Sequence, residues 1–309
     1  MEQRRVGHSG LKVSRLALGT MTWGRDTDAD EAAAQLEAFI AAGGTLIDTA
    51  NIYGDGDAES IVGTLIPDVV PRSSVVLSTT TVGVSGRGPL LAALDASLAR
   101  LDTDGVDLWM VHGFDADVPY EETASALAAA VDSGRAAYIG VSGHTGWQLA
   151  TLATWLRSAG MPLVAVETEY SLLTREAETG VLPAAKAHGA GVLGWAPLGR
   201  GVLTGKYRNG TPADSRGASA HFERYVARYR TDGAARVVEA VVTAADGLGT
   251  SPLAVATAWA RDRPGVAAAV VGARDAAQLL GILASETVVL PAEIRAALDD
   301  VSSAPAPAA

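Results

Sequence analysis

The stretch VDLWMVHGFDADVPYEETASALAAAVDSGRAAYIGVS, residues 106–142, decides the fold. It opens on an apolar run (106–112), crosses a polar turn, takes up a helical pattern at 121–134 and returns to an apolar run at 136–142. Glutamates at the head of the helical pattern and a glycine at its end are the expected terminal chemistry. Both short runs are apolar on nearly every position, as strands are when helices cover both faces of a parallel sheet. The segment reads as strand, helix, strand.

The rest of the chain repeats that unit. Further strand-like runs are LALGT (16–20), TLIDT (45–49), VVLST (75–79), LVAVETEY (163–170), GVLGWAP (191–197) and GVAAAVVG (265–272). Helical patterns lie between them, among them DADEAAAQLEAFIAAGG, GPLLAALDASLARLD and TGWQLATLATWLRSAG. Eight runs in 309 residues predict a (β/α)8 TIM barrel in preference to an open doubly wound sheet. No G-x-G-x-x-G follows the first run, which also argues against the dinucleotide fold of the open-sheet type. Ahead of the barrel, RRVGHSGLKVS predicts an N-terminal β-hairpin. A single barrel domain is expected over 1–303, with a disordered tail over 304–309. The longest irregular connection, from about Gly199 to Thr231, is rich in Gly, Arg and Tyr and reads as functional.

Composition narrows the function. A formal net charge of −11 and a pI near 4.9 exclude nucleic acid and anionic membrane surfaces as natural partners. There is no cysteine, so no disulfide, thiolate metal site or thiol nucleophile. With no membrane span or signal peptide in view, a cytoplasmic protein acting on a small molecule is expected. The five histidines, at 8, 112, 144, 188 and 221, show no paired ligand spacing, so no metal is expected.

In such a barrel the chemistry sits at the C-terminal ends of the strands. That directs attention to Thr20, Asp48, Thr80, His112, Ser142, Glu167, Trp195 and Gly272. Asp48, Tyr53 and His112 form a proton-handling set there. Each also has a structural reading: a helix-capping acid, a turn-closing tyrosine and a hydrogen-bonded histidine. His144, after the fifth run, either faces the pocket or lies in solvent, and solvent is the expectation. Trp23, Trp109 and Trp147 are candidates for lining an apolar pocket, with core packing as the alternative for Trp109. Tyr225, Arg228 and Tyr229 on the long connection either close over a ligand or pack that connection against the barrel.

GTMTWG (19–24), IDTANIYGDGDAE (47–59), LDTDGVDLWMVHGFD (101–115), SGRAAYIGVS (133–142), EYSLL (169–173), WAPLGRGVLTGKY (195–207) and VVGARDAAQL (270–279) resemble the aldo-keto reductase family, in order and across nearly the whole chain. The resemblance implies NADP(H) as cofactor and hydride exchange with a carbonyl or alcohol. It implies Tyr53 as proton donor, His112 orienting the carbonyl oxygen and Asp48 in electrostatic support. For the cofactor it implies Thr20, Met21, Ser142, Gly143, Glu167 and Trp195 near the nicotinamide. Pro197, Leu198, Gly199, Gly201 and Lys206 would wrap the pyrophosphate. Gly272, Arg274 and Gln278 would hold the adenosine end, with Arg274 on the ribose 2′-phosphate.

Four departures stand out. Where the family's third strand ends in Thr-Lys, this chain has Thr79-Thr80, and no lysine lies between Arg72 and Arg87. The family's Ser-Asn after the fifth strand is Ser142-Gly143, its strand-six glutamine is Glu167, and its adenine-contacting Glu-Asn is Gly281-Ile282. A lysine beside the tyrosine would stabilise its phenolate, and Thr80 carries no charge to do so. Three functions therefore remain open: an atypical NADP(H)-dependent reductase, a non-redox acid–base enzyme (dehydratase, isomerase, lyase or cyclase), or a non-catalytic nucleotide or metabolite sensor.

Overall fold

The computed structural model describes residues 1–213, 215–220 and 223–303, so His221 and the tail 304–309 lie outside the described residues. Strands β1 (Gln3–Arg5) and β2 (Lys12–Ser14) pair antiparallel as the expected hairpin. Strands β3 (Leu16–Gly19), β4 (Leu46–Ala50), β5 (Val76–Thr81), β6 (Val106–His112), β7 (Ala136–Ser142), β8 (Ala165–Glu169), β9 (Gly191–Trp195) and β10 (Val266–Val271) pair in parallel, and β10 returns to β3 to close a TIM barrel. Around it run α1 (Ala29–Ala41), α2 (Asp57–Val69), α3 (Arg87–Arg100), α4 (Tyr120–Asp132), α5 (Gly146–Ser158) and α6 (Val181–His188). The chain continues through the short α7 (Glu223–Ala227), then α8 (Asp232–Leu248), α9 (Pro252–Arg261), α10 (Ala276–Leu283) and α11 (Ala292–Ser302).

Local chemistry sets the bounds. Asp28 accepts from the Glu31 amide to start α1, and Thr145 with Gln148 forms a reciprocal capping box on α5. The run GVLGWAP stops as a strand at Trp195 because Ala196 turns to φ 53° and Pro197 has no amide to give the ladder.

Alternation along each strand separates two cores. Ala17, Leu46, Leu108, Met110, Ala165, Leu193, Ala268 and Val270 fill the barrel interior. Their neighbours Leu16, Leu18, Ile47, Leu77, Trp109, Val141, Val166 and Val271 face the helices. Each fully buried leucine or valine contributes about 1.5–3 kcal/mol relative to exposure. The hairpin belongs to the inner core: Val6, Leu11 and Val13 pack on Leu46, Leu108, Val164 and Ala267, near the beginnings of the strands. It thus stoppers the N-terminal end, and the His8 amide donates to the Gly189 carbonyl there at 2.8 Å. No described helix is long and apolar enough to cross a membrane.

Candidate active site

The same alternation aims the polar residues. On β5, the Thr79 hydroxyl donates to Glu59 of α2 at 2.6 Å, and Thr81 accepts from the Trp109 indole at 2.9 Å. Those two look outward, so Ser78 and Thr80 look inward. Inside the mouth they meet Asp48, whose strand pairs Asp48 with Ser78 and Ala50 with Thr80. Asp48 is 2% exposed, Thr80 4% and Glu167 6%. Thr20 is also buried, its hydroxyl donating to the Asp48 carbonyl at 3.2 Å.

Tyr53 opens a tight turn, Tyr53–Gly56, in which Gly54 and Asp55 both take positive φ before α2 begins. The residue is half-buried, and the mouth around it is dense. Desolvation pushes the phenol well above its ordinary range, the charges of Asp48 and Glu167 push further, and Arg200 opposes them. Burial raises Asp48 well above the usual carboxylate range, Glu167 adds to the rise, and the Ser78 hydroxyl offsets a part. Burial also raises Glu167 to about 7, against the hydrogen bond from Ser142. His112 keeps an exposed edge, and desolvation draws its imidazole below the usual range.

His112 belongs to a connected path. The Ser142 hydroxyl donates to Glu167 Oε2 at 2.8 Å, so its oxygen accepts from His112 Nδ1 at 3.0 Å. With Glu167 ionised, this path protonates Nδ1 and leaves Nε2 for a ligand. Gly143 makes the arrangement possible. It sits at φ 67°, and a Cβ placed there would stand 2.8–3.3 Å from the His112 ring. The imidazole takes the space that any side chain at 143 would use.

The other expectations divide. Arg274 precedes α10, and its amide donates to Gln278 Oε1 at 3.3 Å. Half-buried Arg216 is pushed down first by desolvation and then by the charges of Arg200 and Arg274, which places three guanidinium groups within electrostatic reach. Gly272 has no room to spare, a Cβ there lying 3.2 Å from the Gly19 carbonyl. Lys206 is exposed, its Nζ 5.3 Å from the centre of the Tyr207 ring. Met21 and Leu198 are half-buried and Pro197 is buried. Arg200 lies over the Trp195 ring at 5.3 Å and over Tyr225 at 4.8 Å, so one face of the Trp195 indole is already covered. Arg200 holds this place from a left-handed backbone, φ 56°, which a non-glycine residue adopts at a cost of about 1 kcal/mol or more.

Several sequence readings are corrected. His144 is 5% exposed, because the left-handed turn at Gly143 folds its Nδ1 back to 3.0 Å from the Ser142 carbonyl. Trp23 is fully buried and bonded to Gln35, Trp109 takes its core-packing alternative with its indole on Thr81, and Trp147 alone of the three lies at the surface. There it meets Phe114 edge-on at 5.5 Å, and Phe114 stacks on Tyr120 at 5.1 Å. Ile282 is core, so only Gly281 of that pair faces solvent.

Glu169 escaped the sequence reading, although it stands two residues beyond Glu167 and shares its face. It binds Tyr229 and Arg228 directly and lies 3.7 Å from Arg200, so the long connection is packed against the barrel rim at Glu169. Replacing Glu169 with alanine is expected to speed amide hydrogen exchange over 223–231 by about tenfold or more, the loss of a charge-assisted bond. Unchanged exchange would mean that this anchor does not hold the segment.

Comparison with known proteins adds the lineage. A family model described as "Aldo/keto reductase family" matches residues 15–303. A protein named "Probable voltage-gated potassium channel subunit beta" from Oryza sativa subsp. japonica is 36% identical over 295 residues, covering 91% of this chain and 89% of that one. "Uncharacterized oxidoreductase YrpG" from Bacillus subtilis (strain 168) is 33% identical, covering 99% and 97% of the two chains. "Aldo-keto reductase YhdN" from the same organism is 33% identical, covering 90% and 87%.

Proposed function

Because this chain belongs to the aldo/keto reductase family, we propose that it is an NADP(H)-dependent oxidoreductase of a small-molecule carbonyl or alcohol, with an atypical site in which His112 carries the proton. The observation that carries the reading is the His112–Ser142–Glu167 path. Tyr53 is a poor proton source here, since burial and two carboxylates hold its phenol well above its ordinary range and no lysine stands at Thr80. It serves as a neutral hydrogen-bond donor that orients the carbonyl oxygen. Desolvation draws the His112 imidazole below its usual range, so it releases a proton far more readily than the Tyr53 phenol, and Nε2 is its free nitrogen. An ionised Glu167, acting through Ser142, stabilises the imidazolium that precedes proton donation.

The residues fit a phosphorylated dinucleotide at one end. Arg200, Arg216 and Arg274 lie within electrostatic reach of one another, and a phosphate suits a cluster of guanidinium groups. When bound, the dinucleotide supplies or removes a hydride at its ring carbon. At the ring end the fit is altered: His112 fills the space beside Gly143, and Glu167 offers a carboxyl in place of an amide. That alteration favours a second reading, cofactor-independent acid–base chemistry by Asp48, Tyr53, His112 and Glu167. The cysteine-free composition fits a cytoplasmic setting, and the acidic charge gives nucleic acid no purchase.

Titration of the purified protein with NADPH and NADH separates the two. We expect micromolar binding of NADPH with a preference over NADH, and Arg274→Ala to remove about tenfold or more of that preference, one charge-assisted contact. No binding of either nucleotide at millimolar concentration would overturn the reductase reading and leave the second.

A further inference from the structure

Three buried oxygens in the barrel mouth make no well-formed hydrogen bond within the protein, Asp48 Oδ1, Ser78 Oγ and Thr80 Oγ1, although the Ser78 hydroxyl lies near enough to Asp48 to favour its ionised form. They are 2%, 0% and 4% exposed by residue. Register brings them together, since Asp48 pairs with Ser78 on the neighbouring strand and Thr80 follows on the same inward face. Leaving one buried polar group unsatisfied costs about 1–3 kcal/mol, and more where it is ionised. Three at one place mark either a ligand or a stored penalty.

The chemistry of the three selects the ligand. A carboxylate and two hydroxyls are hard oxygen donors. Glu167, whose charge acts on Asp48, brings a second acid to the neighbourhood, and neither acid has an ion-pair partner among the described residues. The guanidinium nearest in effect, Arg200, is committed to Glu169 and to the rings of Trp195 and Tyr225. A divalent ion asks for more ligands and more carboxylates than this face provides. No group of three His, Cys, Asp or Glu suited to a metal occurs among the described residues.

We propose that Asp48, Ser78 and Thr80 seat a compact monovalent cation, either a free ammonium or alkali ion or the primary ammonium head of a bound molecule. The seat stands independently of the reductase reading, because its donors are the protein's own oxygens. A cation there would sit in the field that Asp48 and Glu167 exert on Tyr53 and offset it.

The test is a thermal melt of the full chain at one ionic strength in chlorides of ammonium, potassium, sodium and methylammonium, against tetramethylammonium, which is too large for the seat. At ten times its dissociation constant, a cation that fits should raise Tm by about 2 °C over the tetramethylammonium value. Asp48→Asn should erase the rise. Thr80→Lys, which tethers an ammonium in place, should erase it while melting at or above the wild type in ammonium. Should Asp48→Asn not fold, Thr80→Val removes one ligand and should move the midpoint of the salt effect upward at least threefold. A methylammonium effect equal to that of ammonium assigns the seat to an amine head, and a smaller one assigns it to a free ion. Equal melting in every salt overturns the proposal and makes the three oxygens partners of water alone.

Discussion

His112→Ala will lower kcat/KM by about 10²–10⁴-fold, the usual worth of a positioned general acid or base. In barrier terms that is about 3–5 kcal/mol. The expectation rests on three features of the site. The ring is held by Ser142 at Nδ1, Nε2 is left for a ligand, and desolvation draws the imidazole below its usual range while the Tyr53 phenol is pushed well above its own. Single-turnover oxidation of NADPH with a panel of carbonyls measures it. Tyr53→Phe, which removes an orienting hydrogen bond but no transferable proton, should cost less than His112→Ala. The opposite order would return the proton to Tyr53 and overturn the assignment. Glu167→Gln supplies the sign check. An anion two hydrogen bonds away favours the imidazolium, so neutralising it lowers the basicity of His112. Reduction needs the protonated ring, and its rate falls as that proton leaves. The alkaline limb of the rate profile should therefore move to lower pH in Glu167→Gln. A limb that stays in place would mean the path through Ser142 is not in use.

Arg261→Met should destabilise the protein by about 3–5 kcal/mol, the cost of breaking a buried charge network on one side. The Arg261 side chain is fully buried at the end of α9. It donates to the carbonyls of Ser285 at 2.7 Å and Val288 at 2.8 Å, and to Asp262 Oδ1 at 3.0 Å. Methionine preserves much of the stem but satisfies none of these acceptors. Asp262 still has Arg4 at 2.8 Å, which limits the loss on that side. For a chain of this length the change corresponds to a fall in Tm of about 5–8 °C. A fall under about 2 °C would show that water or a shifted Arg15 replaces the guanidinium.

The barrel was legible because its signal is redundant. Eight apolar runs repeat, and those at 106–112 and 136–142 match their strands residue for residue. The inward or outward aim of each strand-end residue followed from period two once the ends were known. What the sequence hid was contact between segments distant in the chain. Glu169 shows no distinguishing feature until Arg228 and Tyr229, some sixty residues on, fold back to it. His144 looked like a loop histidine, and its burial depends on a left-handed turn that Gly143 permits but does not announce. Trp23 carried the opposite error: a tryptophan near a mouth suggested a ligand wall, yet Gln35 takes its indole hydrogen in the core. The proposed absence of a lysine rests on the sequence at Thr80 alone. That three inward oxygens gather there without a well-formed hydrogen bond needed the register between β4 and β5.

The hairpin that stoppers the barrel has a consequence in time. Its residues leave the ribosome well before their partners, since Val6, Leu11 and Val13 share one buried cluster with Val164 and Ala267 from much later in the chain. Arg4, on β1, fastens to the Arg261 carbonyl at 2.6 Å and to Asp262 at 2.8 Å. During synthesis at roughly 5–20 residues per second, these apolar side chains must wait more than ten seconds for their partners. The hairpin is thus among the last parts of the barrel to be completed, and vectorial synthesis runs opposite to the order in which that end of the barrel is sealed. A nascent chain halted before β10 emerges would present that hairpin to proteases and chaperones, whereas the finished protein withdraws it.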